Sequence, residues 1–358
     1  IPGRYLEMTP DELDERIRSA RGVLGAKLSI LGHHYQRDEV IKYADLTGDS
    51  FKLAQHAASA EGVETVLFCG VHFMAESADI LTRPDVRVIL PNMAAGCSMA
   101  DMADPDDVYE AWDTITEALG GAAKVIPLTY MNSAASLKAF VGERDGLVCT
   151  SSNAPKTFDY AFARGDKILF FPDQHLGRNT GWSMGIPLDE MALWNWRLPN
   201  GGLTDEQIDK ARVILWQGHC STHQRFSVEQ IEQARAKYPD VNVIVHPECR
   251  WETVQAADDN GSTEKIIRTV TAAAAGTTWA IGTEINLVNR LAHDNPDKRV
   301  FCLDPVVCPC STMYRIHPAY IAWTLESLIA GQPVNEVRVD AETRKWALVA
   351  LERMLTLV

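Results

Sequence analysis

The chain has 358 residues, of which 46% are hydrophobic and 23% charged, with a net charge of −14. That length calls for more than one core, and the acidic balance argues against a nucleic-acid or anionic-membrane partner, since both demand a basic face. No apolar run reaches the roughly 18–20 residues of a membrane span, and the acidic opening segment IPGRYLEMTPDELDERI has no signal-type apolar stretch, so a cytoplasmic protein is expected.

In chain order, short apolar runs end abruptly on Gly, Pro, His or Asn: KLSILGHH, TVLFCG, VRVILPN, KVIPLTYMN, GLVCTSSN, KILFFPD, RVILWQGH, NVIVHPE, TTWAIGTE and KRVFCLDP. Amphipathic stretches such as DEVIKYADLTGDSFKLAQHAA and VEQIEQARAKY lie between them. Strands alternating with helices predict parallel sheets flanked by helices, the α/β class. In such sheets ligands bind beyond the carboxyl ends of the strands, so the polar residues that stop each run are the candidates.

The runs repeat. LGHHYQ, PLTYMN and VHPECR each open a module, and PNMAAGCSM, WQGHCSTH and VVCPCSTM each close one. His33 and Cys97 are 64 residues apart, and so are His246 and Cys310. Tyr130 and Cys220 are 90 apart, which places an insertion in the middle module at about 175–203. A hydroxyl follows each opening: Ser50 and Thr263 lie 17 residues after His33 and His246, and Ser151 lies 21 after Tyr130. The expected modules are 1–112, 113–225, and 226–358 with a C-terminal helical segment.

Of the eight cysteines, Cys69, Cys149 and Cys302 sit inside apolar strands and read as small buried hydrophobes. Cys97, Cys220 and Cys310 close the three modules, one thiol each. Three thiolates leave one iron of a [4Fe–4S] cube open to substrate. A catalytic zinc with three protein ligands, or no metal at all, remains compatible with the spacing. The pair His219 and His223 has i,i+4 spacing, but Cys220 lies between them.

These stretches resemble the quinolinate synthase family, the A protein of the bacterial route to NAD. LGHHYQRDEVIKYADLTGDSFKLAQ, LPNMAAGCSMADM, PLTYMNSAASLKA, FPDQHLGRN, WQGHCSTHQRF, VHPECRWETVQAADDNGSTEKI and CPCSTMYRI occur in family order from about residue 28 to 328. The resemblance implies three similar three-layer α/β modules with parallel sheets around a pseudo-threefold axis and a central active site. It implies condensation of iminoaspartate with dihydroxyacetone phosphate to quinolinate, with release of phosphate and water. An aspartate-oxidising enzyme would supply the iminoaspartate. It implies a [4Fe–4S] cluster on Cys97, Cys220 and a third cysteine. Cys310, three residues before Met313, fits the family pattern and the repeat better than Cys308. It further implies substrate contacts from His33, Ser50, Tyr130, Met131, Asn132, Ser151, His223, His246, Pro247, Glu248, Ser262 and Thr263. Proton transfer falls to Glu248 first, then Tyr35 and Tyr130, with His246 beside them; Met74 and Glu76 match the family as cavity-lining residues, with core packing the equal alternative for Met74. The alternatives are another three-module, three-cysteine cluster enzyme, a reductive dehydratase or a diphthamide-type enzyme, and a non-catalytic cluster-bearing sensor. A sensor would need a basic or partner-binding module, and none is evident in the sequence.

Overall fold

A computed structural model describes residues 1–59, 61–306 and 309–357; Cys308, the competing third ligand, lies outside the described residues. The apolar runs form strands. The first four are β1 (Leu28–His33), β2 (Leu46–Gly48), β3 (Thr65–Cys69) and β4 (Arg87–Ile89). Next come β5 (Val125–Tyr130), β6 (Leu147–Cys149), β7 (Lys167–Phe171), β8 (Met191–Trp194) and β9 (Val213–Trp216). Last are β10 (Asn242–Val245), β11 (Asp259–Asn260), β12 (Thr278–Gly282), β13 (Arg299–Cys302) and β14 (Glu336–Val337). Every residue of β1, β3, β5 and β7 is buried, as expected of parallel strands covered on both faces.

Three sheets result, and they share one plan. Their orders contain β2-β1-β3-β4, β6-β5-β7-β9 and β11-β10-β12-β13, all parallel. The fold is therefore α/β with three parallel-dominated sheets, as the alternation of runs and helices predicted. A ten-residue helix begins three residues past the third strand of each sheet: His72–Leu81, Gln174–Ser183 and Ile285–Asp294. Gln174–Ser183 is thus a regular part of the repeat. Among the described residues, the extra elements of the middle module are the short turns Leu188–Glu190 and Pro199–Gly202, the helix Asp205–Lys210, and β8, which pairs parallel with β9.

The chain forms two compact units. One contains Ile1–Cys97, Ile285–Leu287 and Cys308–Asp340; the other contains Ser98–Glu284, Val288–Val307 and Ala341–Val358. In the first, β14 pairs antiparallel with β4. Thr9 and Glu12 form a capping box at the start of the helix Pro10–Leu24, which packs on the helix Pro318–Ile329. In the second, the helix Ala341–Thr356 packs on Ala135–Glu143, and Arg353 donates to the carbonyls of Gly142 and Gly146 at 3.1 and 2.7 Å. Phe140, Phe158, Phe170 and Phe171 are fully buried around the second sheet. Among the described residues no helix is long and apolar enough to cross a membrane.

Candidate active site

The strand ends carry the predicted residues. β1 ends at His33, β5 ends at Tyr130, and His246 directly follows β10. Their backbones are fixed by the sheets: the His246 N–H donates to Gly282 O at 2.9 Å, and the Met131 N–H to Cys149 O at 2.8 Å.

In the second unit five predicted residues meet. Tyr130 Oη donates to Glu248 Oε1 at 2.5 Å. The other carboxylate oxygen, Oε2, lies 2.8 Å from His223 Nδ1, and the same nitrogen lies 3.2 Å from Cys220 Sγ. His223 Nε2 pairs with Thr283 Oγ1 at 3.0 Å. The rings of His223 and His246 stack with centroids 4.4 Å apart. Tyr130, His223, His246 and Glu248 are all buried, so this hydrogen-bonded line is largely withheld from water, where electrostatic effects are strongest.

The electrostatics separate two carboxyls. Burial works to raise the Glu248 carboxyl, but the imidazoles of His223 and His246 and the hydrogen bonds from His223 and Tyr130 outweigh it, and the group sits below its ordinary range. Asp173, which follows β7, moves the other way. Its complete burial and the nearby charge of Glu248 push it well above the carboxylate range, although the N–H groups of Leu176 and His175 oppose this. The two carboxyls are thus pushed in opposite directions, the kind of split that separates bases from acids. Burial and the neighbouring His223 lower His246 to about 3, so its ring is neutral at physiological pH. Its Nδ1 accepts from the Glu248 N–H at 3.3 Å, which leaves the proton on Nε2.

The cysteines fall into two groups. Burial pushes the thiols of Cys69 and Cys149 up to about 12 and Cys302 to about 11, and raises Cys249 as well. These are poor thiolate donors. Cys97, Cys220 and Cys310 are only half-buried. Each follows the fourth strand of its sheet, β4, β9 or β13. A 3₁₀ turn then begins three residues after each cysteine: Ala100–Met102, His223–Arg225 and Met313–Arg315. Half-buried thiols are the donor type that iron–sulfur clusters take. Cys220, His223 and Glu248 also bring three ligand atoms within 4.8 Å of one another, a set able to hold one metal ion. His223 belongs to a 3₁₀ turn and His219 to the preceding loop, so these two do not form a helical i,i+4 pair.

In the first unit the Tyr35 N–H donates to His33 Nδ1 at 3.1 Å, and the two rings meet edge-on at 4.7 Å. Cys310 Sγ lies 3.4 Å from Thr312 Oγ1. Met74 is buried in the helix His72–Leu81, and Glu76 faces His72 at 3.7 Å. The predicted hydroxyls begin helices in two cases of three. Ser50 opens Ser50–Ser59, and Thr263 opens Thr263–Ala272 with Ser262 as its N-cap. Ser151 instead lies in a turn ahead of Ala154–Phe162, because Asn153 takes the cap position and its side chain accepts from Thr150. Ser151, Pro247 and Ser262 share the wall of a cavity of about 390 Å3 with Asn179 and Arg268. Asn132 is half-buried in the turn after β5.

Sequence reasoning did not single out Thr283, Asp173 or Asn179. The first two follow third strands, β12 and β7, whereas the repeat marks only the runs that open and close each module.

The family model described as NadA, quinolinate synthetase A protein, matches residues 15–356. The chain is 57% identical over 358 residues to a quinolinate synthase of Corynebacterium glutamicum, covering 100% of this chain and 91% of that one. It is 57% identical over 354 residues to a quinolinate synthase of Acidobacterium capsulatum, covering 98% and 94%. A quinolinate synthase of Geobacillus kaustophilus is 53% identical over 357 residues, covering 100% and 96%. The chain belongs to the quinolinate synthetase A protein family and is an enzyme of it.

Proposed function

We propose that the chain condenses iminoaspartate with dihydroxyacetone phosphate to quinolinate, releasing phosphate and water, as a step of NAD biosynthesis, with an aspartate-oxidising enzyme as the source of iminoaspartate. The observation that carries this reading is the hydrogen-bonded line Tyr130–Glu248–His223, which ends 3.2 Å from Cys220. The condensation needs protons taken from carbon and oxygen and returned elsewhere. Glu248, ionised and buried, is a base with a donor on either side, and Tyr130 Oη is placed to hand it a proton and to recover one. His246, neutral with its proton on Nε2, offers a donor to a substrate carboxylate without titrating near neutral pH. By the repeat, His33 offers the same donor, and Ser50, Ser151, Ser262 and Thr263 offer hydroxyls and helix-start N–H groups to carboxylate or phosphate. Met131, Asn132 and Pro247 complete the proposed contacts.

Cys97, Cys220 and Cys310 would hold the [4Fe–4S] cluster. The 3₁₀ turn begun three residues after each of them supports this set. When bound, the cluster supplies an open iron that polarises a substrate heteroatom as a Lewis acid. The buried line beside Cys220 keeps water away from that neighbourhood and aligns Glu248 toward it.

A second reading, a single metal ion on Cys220, His223 and Glu248, is favoured by their close approach. Anaerobic purification followed by iron, sulfide and zinc analysis and a quinolinate-forming assay separates the two. Iron with equal sulfide and quinolinate formation is expected. A colourless, iron-free protein holding zinc contradicts the proposal.

A further inference from the structure

We propose that Asn179 is a positioning residue, an amide clamp that fixes the loop His246–Cys249 and thereby aims Glu248 at Tyr130 and His223. Asn179 Nδ2 donates to Pro247 O at 2.8 Å and to Cys249 O at 2.9 Å. These carbonyls flank Glu248 on both sides. Because both partners are acceptors, the amide has one possible orientation, NH2 toward the loop. Asn179 is buried, so both bonds lie away from water, where an unmet carbonyl is costly.

The loop needs such a tie. Its own hydrogen bonds run inward: Cys249 N–H to His246 O at 3.0 Å, and Glu248 N–H to His246 Nδ1 at 3.3 Å. The outward carbonyls of Pro247 and Cys249 are what a neighbouring element can grip, and Pro247 offers no N–H of its own.

The helix that carries Asn179 is placed by three local devices. Asp173 Oδ1 caps its start, accepting from the N–H groups of His175 and Leu176 at 2.6 and 2.9 Å. Gly177 allows it to lie close on the sheet, since a Cβ there would come within 2.5 Å of Leu215 and 2.7 Å of Phe170. The Gln174 N–H donates to Gly218 O at 3.0 Å, two residues before Cys220. Gly218 must be glycine, because a Cβ would meet Pro172 O at 2.2 Å. One ten-residue helix thus holds the segment leading to Cys220 at its first residue and the Glu248 loop at its sixth. It joins two parts of the hydrogen-bonded line, Cys220 and Glu248, that lie 28 residues apart in sequence.

The clamp rests on the catalytic role proposed for Glu248, so its test needs a readout beyond turnover. In the cluster-loaded protein, Asn179→Ala is expected to lower kcat about 10- to 100-fold, with KM for both substrates within about twofold and iron content unchanged. Amide hydrogen exchange at Glu248 and Cys249 is expected to accelerate about tenfold or more. Should Asn179→Ala fail to accumulate as folded protein, Asn179→Ser, which keeps one short donor, is read by the same two measurements, with smaller changes expected. Unchanged exchange across residues 246–249, or a kcat within twofold of the parent, overturns the clamp. A loss that appears only in KM overturns it too. Failure of the underlying functional reading shows separately, as a parent protein that forms no quinolinate while exchange still responds to the substitution.

Discussion

The ends of β1 and β10 share a backbone device and differ in the side chain it presents. In His33-His34-Tyr35 the Tyr35 N–H donates to His33 Nδ1 at 3.1 Å; in His246-Pro247-Glu248 the Glu248 N–H donates to His246 Nδ1 at 3.3 Å. Each histidine accepts from the residue two positions on, so in each neutral ring the proton sits on Nε2 and points onward. The residue doing the donating is a half-buried tyrosine in one case and a buried glutamate in the other. The repeat therefore supplies two matched backbone-held histidines, while divergence at one position places a carboxylate in the second copy where the first has a phenol.

If the forward Nε2–H is the shared function, removing it should have the same consequence at both ends. Asparagine keeps an acceptor for the backbone N–H in place of Nδ1 but lacks the forward donor. His33→Asn and His246→Asn are each expected to raise KM about 10- to 100-fold, the worth of a hydrogen bond to a charged group, in steady-state assays with both substrates. A loss at one end alone would break the analogy.

Thr283→Val probes the β10 copy further, since His246 stacks on His223, whose Nε2 pairs with Thr283. A kcat reduced about 2- to 10-fold is expected from the loss of one neutral hydrogen bond, and a wild-type rate would remove Thr283 from the line.

Acid sensitivity tests the buried histidines as a class. Burial, aided by Arg178, lowers His175 from 6.5 to about 4, so between those pH values the unfolded chain binds the additional proton. Stability then falls as pH drops below 6.5, by up to about 1.4 kcal/mol per pH unit for this one group. Denaturant melts of the parent and His175→Gln at pH 7 and 5 should show a shallower pH dependence in the variant. Smallest of all should be the effect of Cys69→Ala and Cys149→Ala. Both thiols are buried and held protonated, so full iron content is expected with a stability loss of about 1 kcal/mol.

Much of this was legible in the sequence because its units are local. An apolar run ending in a polar residue marks a strand end, and equal spacings between His33 and Cys97 and between His246 and Cys310 mark a repeat. What escaped is non-local or short. Tyr130 and Glu248 are 118 residues apart, and no periodicity encodes which strand ends will face each other. β14 has two residues and pairs with β4 from far along the chain, too short for any alternating pattern. The stretch after FPD looked like inserted chain because its glycines and polar residues hide an ordinary helix. Those same features, Asp173, Gly177 and Asn179, are what place the helix against β7 and the Glu248 loop.

The most direct measurement compares Glu248→Gln with Cys220→Ala after identical anaerobic preparation, reading iron, sulfide and quinolinate formation in each. Glu248→Gln is expected to retain iron and sulfide in the parent's amounts while turnover falls by about 100-fold or more, the scale of a lost acid–base group. Cys220→Ala is expected to lose the cluster together with activity. Full turnover in Glu248→Gln with its iron intact would contradict the account.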